Sequence, residues 1–317
     1  MIKLTTKALT IIIGAVGLYA AFVIFSDLSL LVEKFRNFNF IYLPFAFLLV
    51  LCSYFIRGMR WNMLLKILGI DISVKKSMLI FFAGLGLGIT PGKFGEVIKS
   101  HFLKRDYDQS ISKTASTVIL ERYYDLVGIV IISITGAWFV DVGRTPIIIA
   151  FVILMLTFML SRQKKLVLSI LERFGRFKLL KKFSIFITEI YQTAFTLLST
   201  KVYVKSTLYS ISAWIIESIA VYFVFRGFGI DLSFPVILLI FTASSIAGAV
   251  SMLPGGIGIT EGGMVGLLLL QKIDYTTAFS TVLLVRIVTL WFSVLIGLFA
   301  LKMVTQKRGQ DFKTSSN

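Results

Sequence analysis

The chain repeats a series of short motifs at a spacing of about half its length of 317 residues. Pro91–Glu96 returns as Pro254–Gly258, followed three residues later by Glu261. Two further pairs of segments match in the same order: Ser116–Arg122 with Ser280–Arg286, at an offset of 164, and Gly69–Ser73 with Gly229–Ser233, at an offset of 160. A duplicated unit that carries proline-glycine breaks, an acid and an arginine within apolar sequence is typical of membrane transporters.

The apolar composition agrees with a membrane location. Hydrophobic residues make up 57% of the chain and charged residues only 15%, whereas a soluble domain has about 25% charged residues. The net charge of +17 would suggest nucleic acid as the partner of a soluble protein. Here most basic residues lie in short loops between apolar segments, where they orient the chain in the bilayer. We therefore predict an all-α integral membrane protein that binds no nucleic acid.

Six apolar segments have about the length that a membrane-spanning helix needs. The first follows Lys3 and Lys7 and resembles a signal sequence, but Ser26-Asp27-Leu28 offers no small-x-small cleavage site, so we predict a retained span. The six predicted spans are Ala8–Phe25, Phe40–Ile56, Thr114–Val140, Thr145–Leu160, Tyr203–Phe225 and Thr276–Leu301.

Two other apolar regions are interrupted by a proline-glycine break. Ser77–Lys99 is broken at Pro91 and Gly92, and Phe234–Leu270 is broken at Pro254, Gly255 and Gly256. Proline ends a helix, so each region is predicted to form a re-entrant helical hairpin whose broken backbone is buried in protein. The second region could instead cross the membrane completely, because Val236–Leu253 is long enough to do so.

The distribution of basic residues predicts which side of the membrane each loop faces. With both termini in the cytoplasm, the first hairpin enters from the cytoplasmic side and the second from the external side. The repeats are then inverted, with repeat one at about 40–140 and repeat two at about 203–301, and the two hairpin tips meet near the midplane. The basic residues taken as cytoplasmic are Lys3, Lys7, Arg57, Arg60, Lys66, Lys75, Lys76, Lys99, Lys104, Lys113, Lys302, Lys307 and Arg308.

Arg122 and Arg286 lie near the middle of their predicted spans, where a charge is costly and usually functional. Glu121 and Asp125 lie on the same helix as Arg122, so that arginine could form a local ion pair instead. Arg286 is surrounded by apolar residues and needs Glu261, Glu96 or a ligand anion as its partner. We therefore expect the stronger functional role for Arg286.

Glu96 and Glu261 follow the two breaks. They could couple transport to protons, hold an arginine between substrates, or cap a half-helix whose N-terminus carries positive partial charge. Glycines spaced four apart accompany each break and are expected to permit close helix packing. They are Gly84, Gly88 and Gly92 in the first region and Gly258, Gly262 and Gly266 in the second.

Arg57 and Arg60 end the second predicted span, and the offset of 160 pairs Arg57 with the oppositely charged Glu217. The two arginines could contact a lipid phosphate, although long basic side chains at a span end more often reach for the interface. Cys52 is expected in the protein core and His101 at the surface. The sequence has no Cys/His metal cluster and no complete phosphate-loop motif around Lys93, so neither a metal nor a cofactor is expected.

A basic segment, Arg162–Lys182, connects the repeats within a linker at about 162–200. Leu166, Ile170, Phe174 and Phe177 alternate there with basic residues. The pattern favours an amphipathic helix on an anionic leaflet, and a plain cytoplasmic linker is the alternative.

The combined motifs resemble the membrane region of the lysylphosphatidylglycerol synthases and related stand-alone flippase-like proteins. The likeness rests on Pro91–Glu96, Glu121–Asp125 and Leu253–Gly262 and covers most of the chain. The resemblance implies movement of a lipid with an anionic headgroup across the cell membrane. Those synthases also carry a soluble aminoacyl-transfer domain, which we expect this chain to lack.

We therefore predict a lipid flippase that works without ATP, in which Arg122 and Arg286 bind a headgroup phosphate while Glu96 and Glu261 balance charge. A membrane-embedded lipid-modifying transferase and an ion-coupled transporter of a small anion are the alternatives. The lipid, the direction of transport and the oligomeric state are left open by the sequence.

Overall fold

The computed structural model describes residues 28–139, 144–176 and 181–314, together with Gly14 and Gly17. Apart from those two glycines, the predicted first span Ala8–Phe25 lies outside these residues, as do Lys3, Lys7 and Phe177. Within them the regular secondary structure is helical, without strands, so the all-α prediction is confirmed. The helices are α1 Leu28–Arg36, α2 Tyr42–Ile67, α3 Val74–Leu85, α4 Ile98–Tyr107, α5 Ile111–Ala137, α6 Arg144–Ser161, α7 Lys164–Gly175, α8 Lys181–Leu197, α9 Thr200–Gly227, α10 Phe234–Val250, α11 Ile259–Leu270, α12 Tyr275–Arg286 and α13 Phe292–Thr314.

Three of the described helices are long and apolar enough to cross a membrane: Tyr42–Ile67, Thr200–Gly227 and the continuous helix Tyr275–Gln306. A fourth span is possible if Ile147–Ser161 and Lys164–Arg173, which meet at an angle of 85°, form one broken span. The 27-residue α5 is also long enough, but it carries Glu121, Arg122 and Asp125 near its middle. The count of six spans stays a prediction.

The helix α2 continues eleven residues beyond the predicted end of its span at Ile56. Arg57 and Arg60 were expected to reach for the membrane interface, and this expectation is wrong, because both side chains are buried inside the bundle. Lys66, Lys75 and Lys76 are exposed around the following turn, as expected. A helix tolerates buried arginines where carboxylates from other helices neutralise them.

The repeated Gly-Ile-Asp motif folds the same way in both halves of the chain. Gly69 has a φ of 70° and Gly229 a φ of 74°, the left-handed conformation with which glycine ends many helices. The following amides, of Ile70 and Ile230, each donate a 3.0 Å hydrogen bond back to a carbonyl of the helix that ends there. The repeat at this offset therefore has a structural counterpart.

Each interrupted region folds into a helical hairpin. In the first hairpin, a Cβ placed on Gly84 would lie 2.8 Å from Lys99 Cδ, and one on Gly88 would lie 3.5 Å from Glu96 Oε1. In the second, Gly248 packs on Thr260, and Gly263 packs on Ser244. In both hairpins, a residue further along the first arm contacts a residue earlier in the second arm. The two arms therefore run antiparallel.

The two halves are interleaved. The first arm of the first hairpin, α3, packs on α13, while the first arm of the second hairpin, α10, packs on α5. The α3–α13 contact is so close that the backbones of Gly86 and Gly297 touch, and a Cβ on either residue would overlap the other. The equivalent helices α2 and α9 also pack against each other. Each half thus supplies the packing surface for the hairpin of the other.

Three minor expectations are settled by these helices. Cys52 is exposed on α2 and not in the core, because it points away from the other helices, whereas His101 is exposed as expected. Gly84 does permit close packing, but Gly258, Gly262 and Gly266 have no atom within 4 Å of an added Cβ. The packing role expected for those three glycines is therefore wrong, since they face away from neighbouring helices.

Candidate functional site

The two breaks meet and enclose a cavity. Gly92 in the first break approaches the Met252 side chain, and Gly255 in the second approaches Ile89. The cavity has a volume of about 270 Å³. Its charged lining residues come from α2, α5, α9, α12 and the first break: Arg57, Lys93, Glu96, Arg122, Asp125, Glu217 and Arg286. Both of the arginines singled out in the sequence therefore line one cavity between the hairpins.

The first break, Pro91–Val97, is a short irregular helical segment with two consecutive residues in the left-handed region. Gly92 has a φ of 56° and Lys93 a φ of 57°. The Thr90 carbonyl accepts a 2.8 Å hydrogen bond from the Lys93 amide, and the Thr90 hydroxyl accepts one of 2.6 Å from the Gly95 amide. These bonds satisfy backbone groups that the missing helix turns leave free.

Arg122 reaches from α5 to the first break. It pairs with Glu96 at 3.2 Å and with Asp125, one turn along its own helix, at 3.5 Å. Its side chain remains 23% exposed, and its Nε has no hydrogen-bond partner among the described residues. The local pair with Asp125 that the sequence allowed is present, but it leaves part of the guanidinium open to the cavity.

Lys99 was predicted to lie in the cytoplasmic loop, and the structure corrects this. Its side chain is fully buried, with the ammonium 2.6 Å from Glu121 and 3.2 Å from Glu96. The ring centroid of Trp61 lies 4.4 Å from the same ammonium, a distance suited to a cation–π contact. Glu121 therefore turns away from Arg122 and neutralises a lysine behind the cavity wall.

Arg286 is bound to the second break. Its Nε donates a 2.6 Å hydrogen bond to Glu261 Oε1, and its Nη2 donates one of 2.5 Å to the Gly255 carbonyl. Glu261 also accepts a 2.7 Å hydrogen bond from the Gly258 amide at the start of α11. Among the partners considered for Arg286, the structure brings Glu261 to it, and Glu261 both caps a half-helix and holds the arginine.

Two further buried ion pairs connect α2 to its neighbours. Arg57 and Glu217, which the repeat offset of 160 matched, lie 2.6 Å apart. Arg60 is 2.8 Å from Asp125 and also donates a hydrogen bond to Ser210. Two positions related by a two-fold axis can touch each other only near that axis, so the Arg57–Glu217 pair lies where such an axis would pass.

Several residues that shape the site were not predicted from the sequence. Lys93 lines the cavity, and Lys99 shares the carboxylate of Glu96 with Arg122. Tyr54 donates a 2.5 Å hydrogen bond to the carbonyl of Thr289, in the π-helical turn Ile287–Trp291 that directly follows Arg286. Such turns are frequent at functional sites, but a single sequence gives no signal for them. The described residues contain no group of metal-ligating side chains.

Comparison with known proteins finds a family of membrane proteins and several related chains. Residues 11–297 match the family described as the lysylphosphatidylglycerol synthase TM region. A UPF0104 membrane protein of Pyrococcus horikoshii is 30% identical over 281 residues, covering 80% of this chain and 84% of the relative. A UPF0104 membrane protein of Methanothermobacter thermautotrophicus is 23% identical, with 93% of this chain and 94% of the relative covered.

Proposed function

The chain belongs to the family of the lysylphosphatidylglycerol synthase transmembrane region, and from this premise we propose that it moves a lipid with a phosphate-bearing headgroup across the cell membrane. The observation that carries the proposal is the single cavity between the two breaks, which both Arg122 and Arg286 line. Family membership and the apolar helices make the chain a multi-pass membrane protein.

The size of the cavity supports a headgroup as the bound part. Sites for whole small molecules measure about 300–1,000 Å³, and this cavity measures about 270 Å³. A phosphate with a small substituent is of that order, whereas the acyl chains of a lipid are not. In the proposal the headgroup enters the cavity and the chains remain in the bilayer.

The charge chemistry supports a phosphate. A guanidinium offers a planar array of donors that matches phosphate oxygens, and Arg122 keeps part of its side chain open to the cavity. In the unloaded protein Glu96 is its counter-ion, and in the loaded protein the phosphate takes that place while Lys99 retains Glu96. Neither side chain then loses its compensating charge during transport.

The reciprocal packing of the two halves supports an inverted repeat with alternating access. In this arrangement the units at about 40–140 and 203–301 carry one re-entrant hairpin each, entering from opposite sides. The Arg57–Glu217 pair lies near the axis that relates them. Rocking of one hairpin against the other at the contact of the two breaks then opens the cavity to one leaflet at a time.

The basic helix α7 supports attachment to an anionic leaflet. It follows α6 at a bend of 85°, so it lies close to the membrane plane if α6 crosses the bilayer. Leu166 and Ile170 are exposed on it, as a helix that rests on a bilayer requires. In this topology α7 and both termini face the cytoplasm.

Reconstitution into ATP-free vesicles tests the proposed function. Labelled phosphatidylglycerol should become accessible on the opposite leaflet faster with the protein than in empty vesicles, and Arg122→Ala should remove the increase. Normal transfer by both Arg122→Ala and Arg286→Ala proteins would contradict the role of the cavity.

The same volume also suits a free anion, so an ion-coupled transporter of a small anion is the second candidate. Uptake of soluble phosphate or dimethyl phosphate into vesicles, without lipid transfer, would support it. Formation of a modified lipid by the purified protein, supplied with a labelled donor, would support the lipid-modifying transferase instead.

A further inference from the structure

Lys93 differs from every other basic residue that lines the cavity. Arg57, Arg122 and Arg286 each have a carboxylate partner within 4.0 Å. Lys93 has none among the residues that the structure describes, although it lines the same cavity. Its ammonium is therefore a positive charge that the neighbouring side chains leave unbalanced.

The backbone at Lys93 is strained, and the equivalent turn in the second half of the molecule shows that the fold does not require a lysine there. Lys93 has a φ of 57°, a left-handed conformation that non-glycine residues adopt at a cost. At the repeat offset of 163 the second break has Gly256, with a φ of 66°. Glycine would make the same turn without strain. The fold alone therefore favours glycine at position 93, and strained residues of this kind cluster at functional sites.

The charges around the cavity add up to one excess positive charge. Five carboxylates of the described residues pair with five basic residues, and Lys93 is the sixth base. The pairs are Arg57–Glu217, Arg60–Asp125, Lys99–Glu121, Arg122–Glu96 and Arg286–Glu261. Lys93 is exposed, but a headgroup that fills the cavity excludes water from it. An uncompensated charge is then costly, so a bound group with one negative charge gives the most favourable balance.

We infer that Lys93 determines the specificity of the cavity and that the cavity selects headgroups with a single net negative charge, as in a phosphodiester. This inference rests on the proposed function and names its substrate class. Arg122 and Lys93 both contact the phosphate, with Lys93 as its counter-ion and Arg122 as its bidentate donor. A phosphomonoester would leave an excess negative charge, and a zwitterionic headgroup would leave the charge of Lys93 uncompensated.

Binding to the purified full chain in detergent tests the inference without requiring transport. The probes are dioctanoyl phosphatidylglycerol with one charge, dioctanoyl phosphatidylcholine as a zwitterion and dioctanoyl phosphatidic acid with a phosphomonoester. The wild-type protein should bind phosphatidylglycerol most tightly. The Lys93→Gly protein should bind it about 10-fold to 100-fold more weakly, the effect of losing one charge-assisted hydrogen bond, while its affinity for phosphatidylcholine changes little.

Two variants control this measurement. Lys272→Gly removes the same side chain from the same left-handed conformation, with a φ of 62°, at a residue outside the cavity lining, and should leave all three affinities unchanged. Lys93→Arg keeps the charge and should keep the preference for phosphatidylglycerol. Because glycine suits the backbone at position 93, the Lys93→Gly protein should unfold at the wild-type temperature or above it.

The outcomes separate the inference from the proposed function. An unchanged preference of the Lys93→Gly protein for phosphatidylglycerol, or a wild-type preference for phosphatidic acid, would overturn the inference even if lipid transfer is observed. Dimethyl phosphate that binds as tightly as phosphatidylglycerol, with the same loss in Lys93→Gly and no lipid transfer, would support the charge selection and overturn the flippase.

Discussion

The two breaks carry the same motif but hold their arginines differently. Arg286 is 9% exposed and bonds to the backbone of its own break through the Gly255 carbonyl, as well as to Glu261. Arg122 is 23% exposed and contacts only side chains in the described part of the chain, both of which have a second basic partner. Arg286 therefore holds the second break in shape, whereas the proposed function has Arg122 exchange a carboxylate for the phosphate of the ligand.

The difference arises from residues at equivalent positions. Glu121 and Asp125 in the first half correspond to Val285 and Thr289 in the second, at an offset of 164. Lys99 corresponds to Gly263 at the same offset, or to Met264 at the offset that relates Glu96 to Glu261. In the first half, Glu96 and Asp125 each have two basic partners. A shared carboxylate of this kind lets Arg122 give up one partner, as the proposed function requires.

The largest effect is expected where the first half buries charge that the second half lacks. Lys99→Met should lower the free energy of unfolding by about 3–5 kcal/mol, because Glu121 and Glu96 lose a buried partner. Adding Glu121→Val gives the first half the residues of the second, and should restore most of that loss, since an apolar pair often replaces a buried ion pair without penalty. Denaturant unfolding in detergent measures both, and equal stability of the single and double variants would refute the pairing.

Arg286→Gln should lower the free energy of unfolding by about 3 kcal/mol, because it leaves Glu261 and the Gly255 carbonyl without their guanidinium partner. The matched change Arg122→Gln should cost about 1 kcal/mol or less, since Glu96 keeps Lys99 and Asp125 keeps Arg60. Thermal unfolding of the two variants side by side measures the difference. A larger loss in Arg122→Gln would reverse the assignment of the structural role.

Lipid transport should depend more on Arg122 than on Arg286, the opposite of the order expected for stability. Arg122→Gln is expected to slow lipid transfer in vesicles by about 10-fold to 100-fold, the equivalent of one charge-assisted hydrogen bond of about 1.5–3 kcal/mol. Its folded fraction should match the wild type under the assay conditions, which near-ultraviolet circular dichroism checks. Transfer at the wild-type rate would remove Arg122 from the binding site.

The smallest effect concerns the caps of the two arginine helices, at equivalent positions 110 and 274. Asp274 accepts a 2.9 Å hydrogen bond from the Thr277 amide, and hydrogen bonds from Thr277 hold the pKa of its carboxyl below the ordinary value. Ser110 accepts a longer bond of 3.3 Å from the Lys113 amide. Asp274→Ala should therefore lower the free energy of unfolding by about 1 kcal/mol, and Ser110→Ala should lower it by less. Denaturant unfolding in detergent measures both.

The repeat made much of the site predictable. It aligned Arg57 with Glu217, which form a pair, and it restricted the partners of Arg286 to a set that includes Glu261. The meeting of the two breaks also followed from the duplicated motif. These contacts were accessible because each depends on residues that occupy matching places in the two halves.

The buried position of Lys99 could not be predicted in this way. A lysine beside His101 and Lys104 has the sequence context of a cytoplasmic loop, and only the tertiary contacts with Glu121 and Trp61 bury it. Arg57 and Arg60 were misplaced for the same reason. The unusual backbone of Lys93 did have a signal, since Gly256 occupies the matching position of the second break.

A structure of the protein with bound phosphatidylglycerol would show directly which basic residues hold the headgroup. We expect the phosphate within hydrogen-bonding distance of Arg122 and Lys93, with Arg286 still bonded to Glu261 and to the Gly255 carbonyl. A phosphate bound to Arg286 in place of Glu261, with Arg122 still paired to Glu96, would contradict this expectation.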